Sequence, residues 1–403
     1  MIYLDNAATT MVKKEVLNAM LPYFGLKFGN PGSLYALGRE AKDAVENARK
    51  EVASFFGCDA ENILFTSGGS EGNNFALKAA VRALKSMGRN HIVVSAIEHD
   101  SVLRAADALI KQGFHISYVK PYRGGSIPSK AVKDAITTST GLVSVMYANN
   151  ETGAVNNIAE IGKICKENNV LFHTDCVQAA GNYPLEVATK CADFATISGH
   201  KIGAPKGIGA IYVKNKAFML DPLIDGGRAQ EFGLRGGTEN VPYIVGLGEA
   251  CRLVSDTKDA RNYYAEFLKP AFFKGLGEGI IFAKNSVPDC GPFEFEVFNG
   301  HWADSKVISI CFPGVDNESL LLGLDRTFGV CVSAGSACTA HETKPSHVLT
   351  AMGISEERAR STIRVSFCMD TTEDEAYHGG FYIGYFARFL KNGTPKLNEE
   401  IVK

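Results

Sequence analysis

Several short apolar runs in the chain are each followed at once by side chains able to do chemistry. The run 63–66 leads into Ser67-Gly68-Gly69-Ser70-Glu71, and the run 91–95 into Glu98-His99. The run 142–146 precedes Asn149-Asn150-Glu151-Thr152-Gly153, and the run 170–174 precedes Asp175, with Gln178 one turn further on. The run 194–197 ends in Ser198-Gly199-His200-Lys201. A glycine-serine turn that opens a helix offers unpaired N–H groups to an anion. Lys201 supplies an amine, Asp175 a carboxylate and His99 a flat ring. Amine, carboxylate and anion cradle together suit pyridoxal 5'-phosphate. That group needs an amine for its aldehyde, a carboxylate at its pyridinium nitrogen and a site for its phosphate.

Each of these residues also has a plain structural alternative. Asp175 could cap the helix that follows it, and His99 could cap the end of its strand. Lys201 could be an exposed loop lysine, and Arg364, within a strand, half of an ion pair. Cys338 could be one more small buried residue among ten cysteines, although its Gly/Ser/Ala-rich surroundings argue otherwise. His341 and His347 read as loop or helix-start residues, and nearness in sequence does not pair them with Cys338.

The elements that would position these groups are legible from periodicity. Short strands are expected at 63–66, 91–95, 115–119, 142–146, 170–174, 194–197 and 210–213, with helices between several of them. Ala44, Val45, Ala48, Val52, Phe55 and Phe56 recur at helical spacing, and Gly57 stops that helix. A further helix is expected over 74–84. Apolar strands joined by helices imply a mostly parallel sheet covered on both faces, and such sheets bind ligands beyond the carboxyl ends of their strands. A long helix over 244–254 leads out of this unit. Strands near 307–311 and 362–367 suggest a smaller α+β unit. The segment 285–305 reads as an irregular insertion, and 392–403 as a loose tail.

The 403 residues are too many for one minimal domain. With 42 basic and 44 acidic residues the net charge is −2, which excludes the strongly basic face that nucleic acid selects. No apolar stretch reaches membrane-spanning length. The ten cysteines form no Cys-x-x-Cys pair, so neither a zinc site nor a disulfide scaffold is expected, and no metal is called for. The N-terminal MIYLDNAATT lacks the basic and apolar regions of a secretory signal, and a reducing cytoplasm is the expected location.

The ordered motifs carry a resemblance over nearly the whole chain. They are YLDNAATT at 3–10, GNPGS at 29–33, TSGGSEGNN at 66–74, NNETG at 149–153 and FHTDCVQAAG at 172–181. SGHKIGAPKGIGAIYV at 198–213, LRGGTENV at 234–241, SAGSACTA at 333–340 and STIRVSF at 361–367 complete the set. With these motifs the chain resembles the class V pyridoxal-phosphate enzymes and, among them, the cysteine desulfurases of the nitrogen-fixation and iron–sulfur-cluster assembly type. The resemblance implies an α/β fold of fold type I. Its large domain, 14–258, would hold a mostly parallel seven-stranded sheet flanked by helices. Its small α+β domain, 1–13 with 259–403, would carry a catalytic-cysteine loop at about 330–345.

The resemblance also implies roles. Lys201 would bind the cofactor's aldehyde, Asp175 its pyridinium nitrogen and Gln178 its phenolic oxygen, while His99 stacks on the ring and moves protons. Gly69, Ser70, Ser198 and His200 would hold the phosphate, with Thr238 reaching the phosphate of a neighbouring subunit in a homodimer with shared sites. Asn150 and Arg364 would hold the carboxylate of L-cysteine. Cys338 would take its sulfur as a persulfide, leaving L-alanine, and pass the sulfur to an acceptor protein. Acceptors in iron–sulfur-cluster assembly, tRNA thiolation and DNA phosphorothioation all remain open. A selenocysteine lyase or a class V aminotransferase is the alternative activity, and a scaffold that only binds acceptor proteins is a third. Cys176, Tyr35, Met11, Cys368 and Met369 depart from the family's usual residues.

Overall fold

The computed structural model describes residues 1–216, 221–256, 260–286, 293–298, 305–335 and 345–391. In chain order the strands are β1 (Ile2–Tyr3), β2 (Ile63–Thr66), β3 (His91–Ser95), β4 (His115–Val119), β5 (Thr140–Ser144) and β6 (Leu171–Asp175). They continue with β7 (Phe194–Ser198), β8 (Gly209–Val213), β9 (Glu296–Val297), β10 (Val307–Cys311), β11 (Val330–Cys331) and β12 (Thr362–Ser366). Seven of them form one sheet in the order β2-β8-β7-β6-β5-β3-β4. All its neighbours are parallel except β8, which runs against both β2 and β7. Two reversals restore direction, so Thr66 at the end of β2 lies on the same rim as Asp175 and Ser198. The mostly parallel seven-stranded sheet expected from the sequence is present.

Every residue of β2, β3, β5, β6, β7 and β8 is buried. Apolar strands buried on both faces need a cover on each, and two hydrophobic clusters provide it. One is built on Val45, Val52, Phe56, Val93, Val143 and Phe172, the other on Leu64, Phe75, Ile92, Leu142, Phe194 and Ile211. The helix Ala36–Phe56 turns its Ala44-Val45-Ala48-Val52 face to the sheet and ends at left-handed Gly57, as its spacing predicts. A third cluster joins Leu4 to Phe272, Ile310, Phe312, Val365, Phe367 and Ile383. It packs the antiparallel sheet β12-β10-β9 and the parallel pair β1-β11 against the helices Lys269–Ser286 and Glu373–Lys391.

Three expectations shift. The helix foreseen over 74–84 begins at Gly69 and breaks at Ala80, because Glu71 accepts the Ser67 N–H and starts the helix at the cradle itself. The strand foreseen at 142–146 ends at Ser144, since the Met146 N–H goes to the buried Glu98 carboxylate instead of to a neighbouring strand. The segment foreseen as irregular over 285–305 closes the helix Lys269–Ser286 and contributes β9, which pairs with β10. The tail 392–403 lies outside the described residues.

Candidate active site

One rim of the sheet gathers the groups picked out by sequence around a cavity of about 550 Å³. Ser67–Glu71, Asn73, His99, Asn150, Glu151, Asp175, Gln178, Ser198, His200, Lys201, Gly335, His347 and Arg364 all line it. The cradle sits at the first turn of the helix Gly69–Ala79, where backbone N–H groups lack helical partners. A Cβ on Gly69 would come 2.8 Å from Val177 Cγ2, so only glycine lets this turn lie against the residue two after Asp175. Arg235 locks the same helix from outside through a 2.9 Å ion pair to Glu71.

Asp175 is 4 % exposed and has two donors. Val177 N donates to Oδ1 at 2.8 Å and Asn73 Nδ2 to Oδ2 at 2.7 Å. Burial raises its pKa, countered by the Val177 N–H, His99, Asn73 and Lys201. Lys201 closes the turn Gly199–Lys201 after β7, and its Nζ donates to the carbonyls of Ala7 at 2.6 Å and Ala8 at 2.7 Å. Gln178 Nε2 donates to the same Ala7 oxygen at 2.9 Å. The buried Oδ1 of Asn73 and Oε1 of Gln178 have no partner, as expected of polar groups that face a ligand. His200 is held neutral, its pKa pushed down to about 4 by burial and by Lys201 and Lys206. An amine, an oriented carboxylate, unpartnered amide oxygens and an N–H cradle around one cavity fit pyridoxal phosphate.

The structural alternatives turn out to coexist with the site. His99 does cap a helix, accepting the Ser101 N–H at 3.1 Å on Nδ1. Asp175 does accept the N–H two residues on. Arg364, 3 % exposed, does form an ion pair, at 2.8 Å to Asp5, and its Nη1 donates to the Asn150 carbonyl at 3.0 Å. Structural bonds of this kind hold the same side chains in fixed directions toward the cavity.

The sequence reading missed several residues here. Asn73 orients Asp175, and Asp5 occupies Arg364. Glu98 is fully buried, and burial raises its carboxyl to about 8. His347 reads as a helix-start residue yet lines the cavity, with Nε2 2.9 Å from the Glu98 carbonyl. Glu151 accepts the Ser346 hydroxyl at 2.5 Å, and a Cβ on Gly335 would overlap its Oε2. Asn73 and Glu151 sit inside motifs already singled out by sequence, and that was the available signal. Thr238 is exposed and does not line this chain's cavity. Cys338 and His341 lie outside the described residues.

The comparisons with known proteins agree with this geometry. The aminotransferase class-V model matches residues 2–278 and 281–377. The cysteine desulfurase IscS of Methanosarcina thermophila is 41 % identical over 376 residues, covering 93 % of this chain and 89 % of that protein. A solved NifS-like protein superposes with a TM-score of 0.84 at 31 % identity, covering 96 % of this chain and all of that one. A structure of SspA in complex with cysteine gives 0.77 at 36 % identity, covering 91 % of this chain and 99 % of that one. The chain therefore belongs to the aminotransferase class-V family, in its cysteine desulfurase branch.

Proposed function

We propose that the protein is a pyridoxal-phosphate-dependent cysteine desulfurase that converts L-cysteine to L-alanine and carries the sulfur away on Cys338. The observation that carries this reading is the convergence of Lys201, Asp175, the Ser67–Ser70 turn and Arg364 on one cavity. Bound there, pyridoxal phosphate supplies an aldehyde for amine capture and a ring that stores an electron pair. Lys201 and Asp175 would hold it, with Gln178, His99, Ser70, Ser198 and His200.

The chain's own residues then divide the work. Arg364 and Asn150 bind the substrate carboxylate, with Asp5 sharing the guanidinium. Lys201, displaced by the substrate amine, takes the Cα proton and later returns one. Cys338 attacks as the thiolate, forming an S–S bond while the substrate's C–S bond breaks. The carbon is reduced, the sulfur is oxidised, and the balance is L-cysteine plus protein thiol giving L-alanine plus protein persulfide. Gly335 and Ser346, which precede and follow Cys338 in the sequence, both touch Glu151.

The working form we propose is a homodimer in the cytoplasm, with Thr238 completing the partner's phosphate site. Exposure of Thr238 away from its own cavity supports this, as do the exposed apolar side chains Leu21, Phe24, Leu26, Phe28 and Leu34. No helix among the described residues is long and apolar enough to cross a membrane. The proposed domains are 14–258 and 1–13 with 259–403, and an acceptor protein would dock near the Cys338 loop. The test is sulfide and alanine release from L-cysteine in reductant. Equal amounts of both are expected, and Cys338→Ser should keep the cofactor's absorbance while losing sulfide release. Sulfide release at the unmodified rate in Cys338→Ser overturns the assignment of the nucleophile.

A further inference from the structure

A second cavity, of about 230 Å³, shares Lys201 with the first. It forms where Thr10–Lys13, Ala180–Asn182, Ile202 and Val254 meet Tyr264, Lys306 and Cys368–Asp370. Its deepest charge is Lys306, which immediately precedes β10 and is 6 % exposed. No ion pair or hydrogen bond to a described residue engages its amine. A buried amine of this kind is costly unless something answers its charge. Burial pushes its pKa down to about 8, with the nearby Arg364 acting in the same direction and Cys368 opposing. The other lysine of the cavity, Lys13, is already neutralised by Asp370 at 2.8 Å. Lys306 is therefore left as a buried positive charge with no ion pair among the described residues, beside Ile202, Val254, Met369 and the Tyr264 ring, while the exposed Glu15 and the polar Thr10 and Asn182 line the rest of the cavity.

We propose that this cavity is a binding site for a small organic monocarboxylate, its carboxylate on Lys306 and its aliphatic part against Ile202, Val254 and Met369. A single buried amine without an ion-pair partner suits a monoanion. Sulfate or phosphate carries more negative charge than the single unpaired Lys306 amine answers. The size selects a short tail, since a cavity of about 150 Å³ already accommodates benzene. A ligand seated here lies beside Lys201 and bridges segments from both ends of the chain.

The test is calorimetric titration of the purified, cofactor-loaded protein with pentanoate, 1-pentanol and sulfate. Pentanoate should bind at least about tenfold more tightly than pentanol or sulfate, the size of one charge-assisted hydrogen bond. Lys306→Met keeps the shape of the side chain and should fold, shown by unchanged cofactor absorbance, while losing that preference. Met369→Trp fills the cavity from the opposite wall and should weaken pentanoate without touching the amine. Pentanoate binding at unmodified affinity in Lys306→Met, as would follow from binding at Arg364, overturns the proposal. So does failure of pentanoate to bind the unmodified protein at millimolar concentration, or equal binding of pentanol.

Discussion

The two cavities that share Lys201 differ in how their charged groups are answered. The larger one is bounded by polar groups from successive strand ends, nearly all in bonded pairs: Asp175 with Asn73, Arg364 with Asp5, Glu151 with Ser346. The smaller one holds a buried amine, Lys306, with no ion pair among the described residues. Preorganised polarity is what a reaction that moves charge requires, because dipoles already in place cost no reorganisation. A lone buried charge organises nothing, but it gives a strong preference to whatever neutralises it. The difference teaches that two cavities sharing one lysine can be organised for different tasks.

Substitutions can break or sharpen this contrast. The largest effect belongs to the shared residue. Lys201→Ala should lower sulfide release by roughly a thousandfold or more and abolish borohydride trapping of the cofactor. Lys306→Met, in the other cavity, should leave turnover within about twofold. Equal losses in both would erase the distinction drawn here. Asp175→Asn comes next, at roughly a hundredfold in kcat, because a neutral amide no longer stabilises a protonated ring nitrogen. Asn73→Ala should cost roughly tenfold by releasing the Asp175 carboxylate from its orientation. The readout is a shift in the cofactor's absorbance maximum, which simple loss of stability would leave in place.

Stability effects are smaller. The Lys306 amine has a folded pKa near 8 against 10.5 in the unfolded chain, so the unfolded state binds more protons between those values. Its penalty is full below pH 8 and disappears as pH rises toward 10.5. Lys13, Glu15, Lys201, Asp370, Cys368, Tyr264 and Arg364 are the ionisable neighbours. Without ligand, Lys306→Met should therefore be more stable by on the order of 1–3 kcal/mol at pH 7, with no gain above pH 10.5, measured by urea unfolding. Glu98 works in the other direction. Its folded carboxyl titrates near 8 against 4.5, so the folded state holds the extra proton and loses that advantage as pH rises from 4.5 through 8. Glu98→Gln should match the unmodified protein near pH 4.5 and exceed it by on the order of 1 kcal/mol at pH 9. A constant difference across that range would show that Glu98 is ionised in the folded protein.

Much of the rim was readable without coordinates. Parallel strands are apolar throughout and end abruptly, so the polar residue after each run marks where the rim lies. Lys201, Asp175, His99 and the Ser67–Ser70 turn were all found in this way. The start of the helix foreseen over 74–84 and the end of the strand foreseen at 142–146 were harder, because side-chain carboxylates such as Glu71 and Glu98 take backbone N–H groups that periodicity does not record.

What the sequence by itself determined is the order of the sheet's chemistry, since a strand's period and its terminating residue are local properties of the chain. What only the tertiary structure decided is which groups answer one another across distance. Asn73 meets Asp175 from 102 residues away and Asp5 meets Arg364 from 359 away, and no local spacing records either contact. The solitude of Lys306 is of the same kind. An amine becomes buried and unanswered only when surfaces from remote segments close around it, and a neighbouring residue in sequence has no part in that.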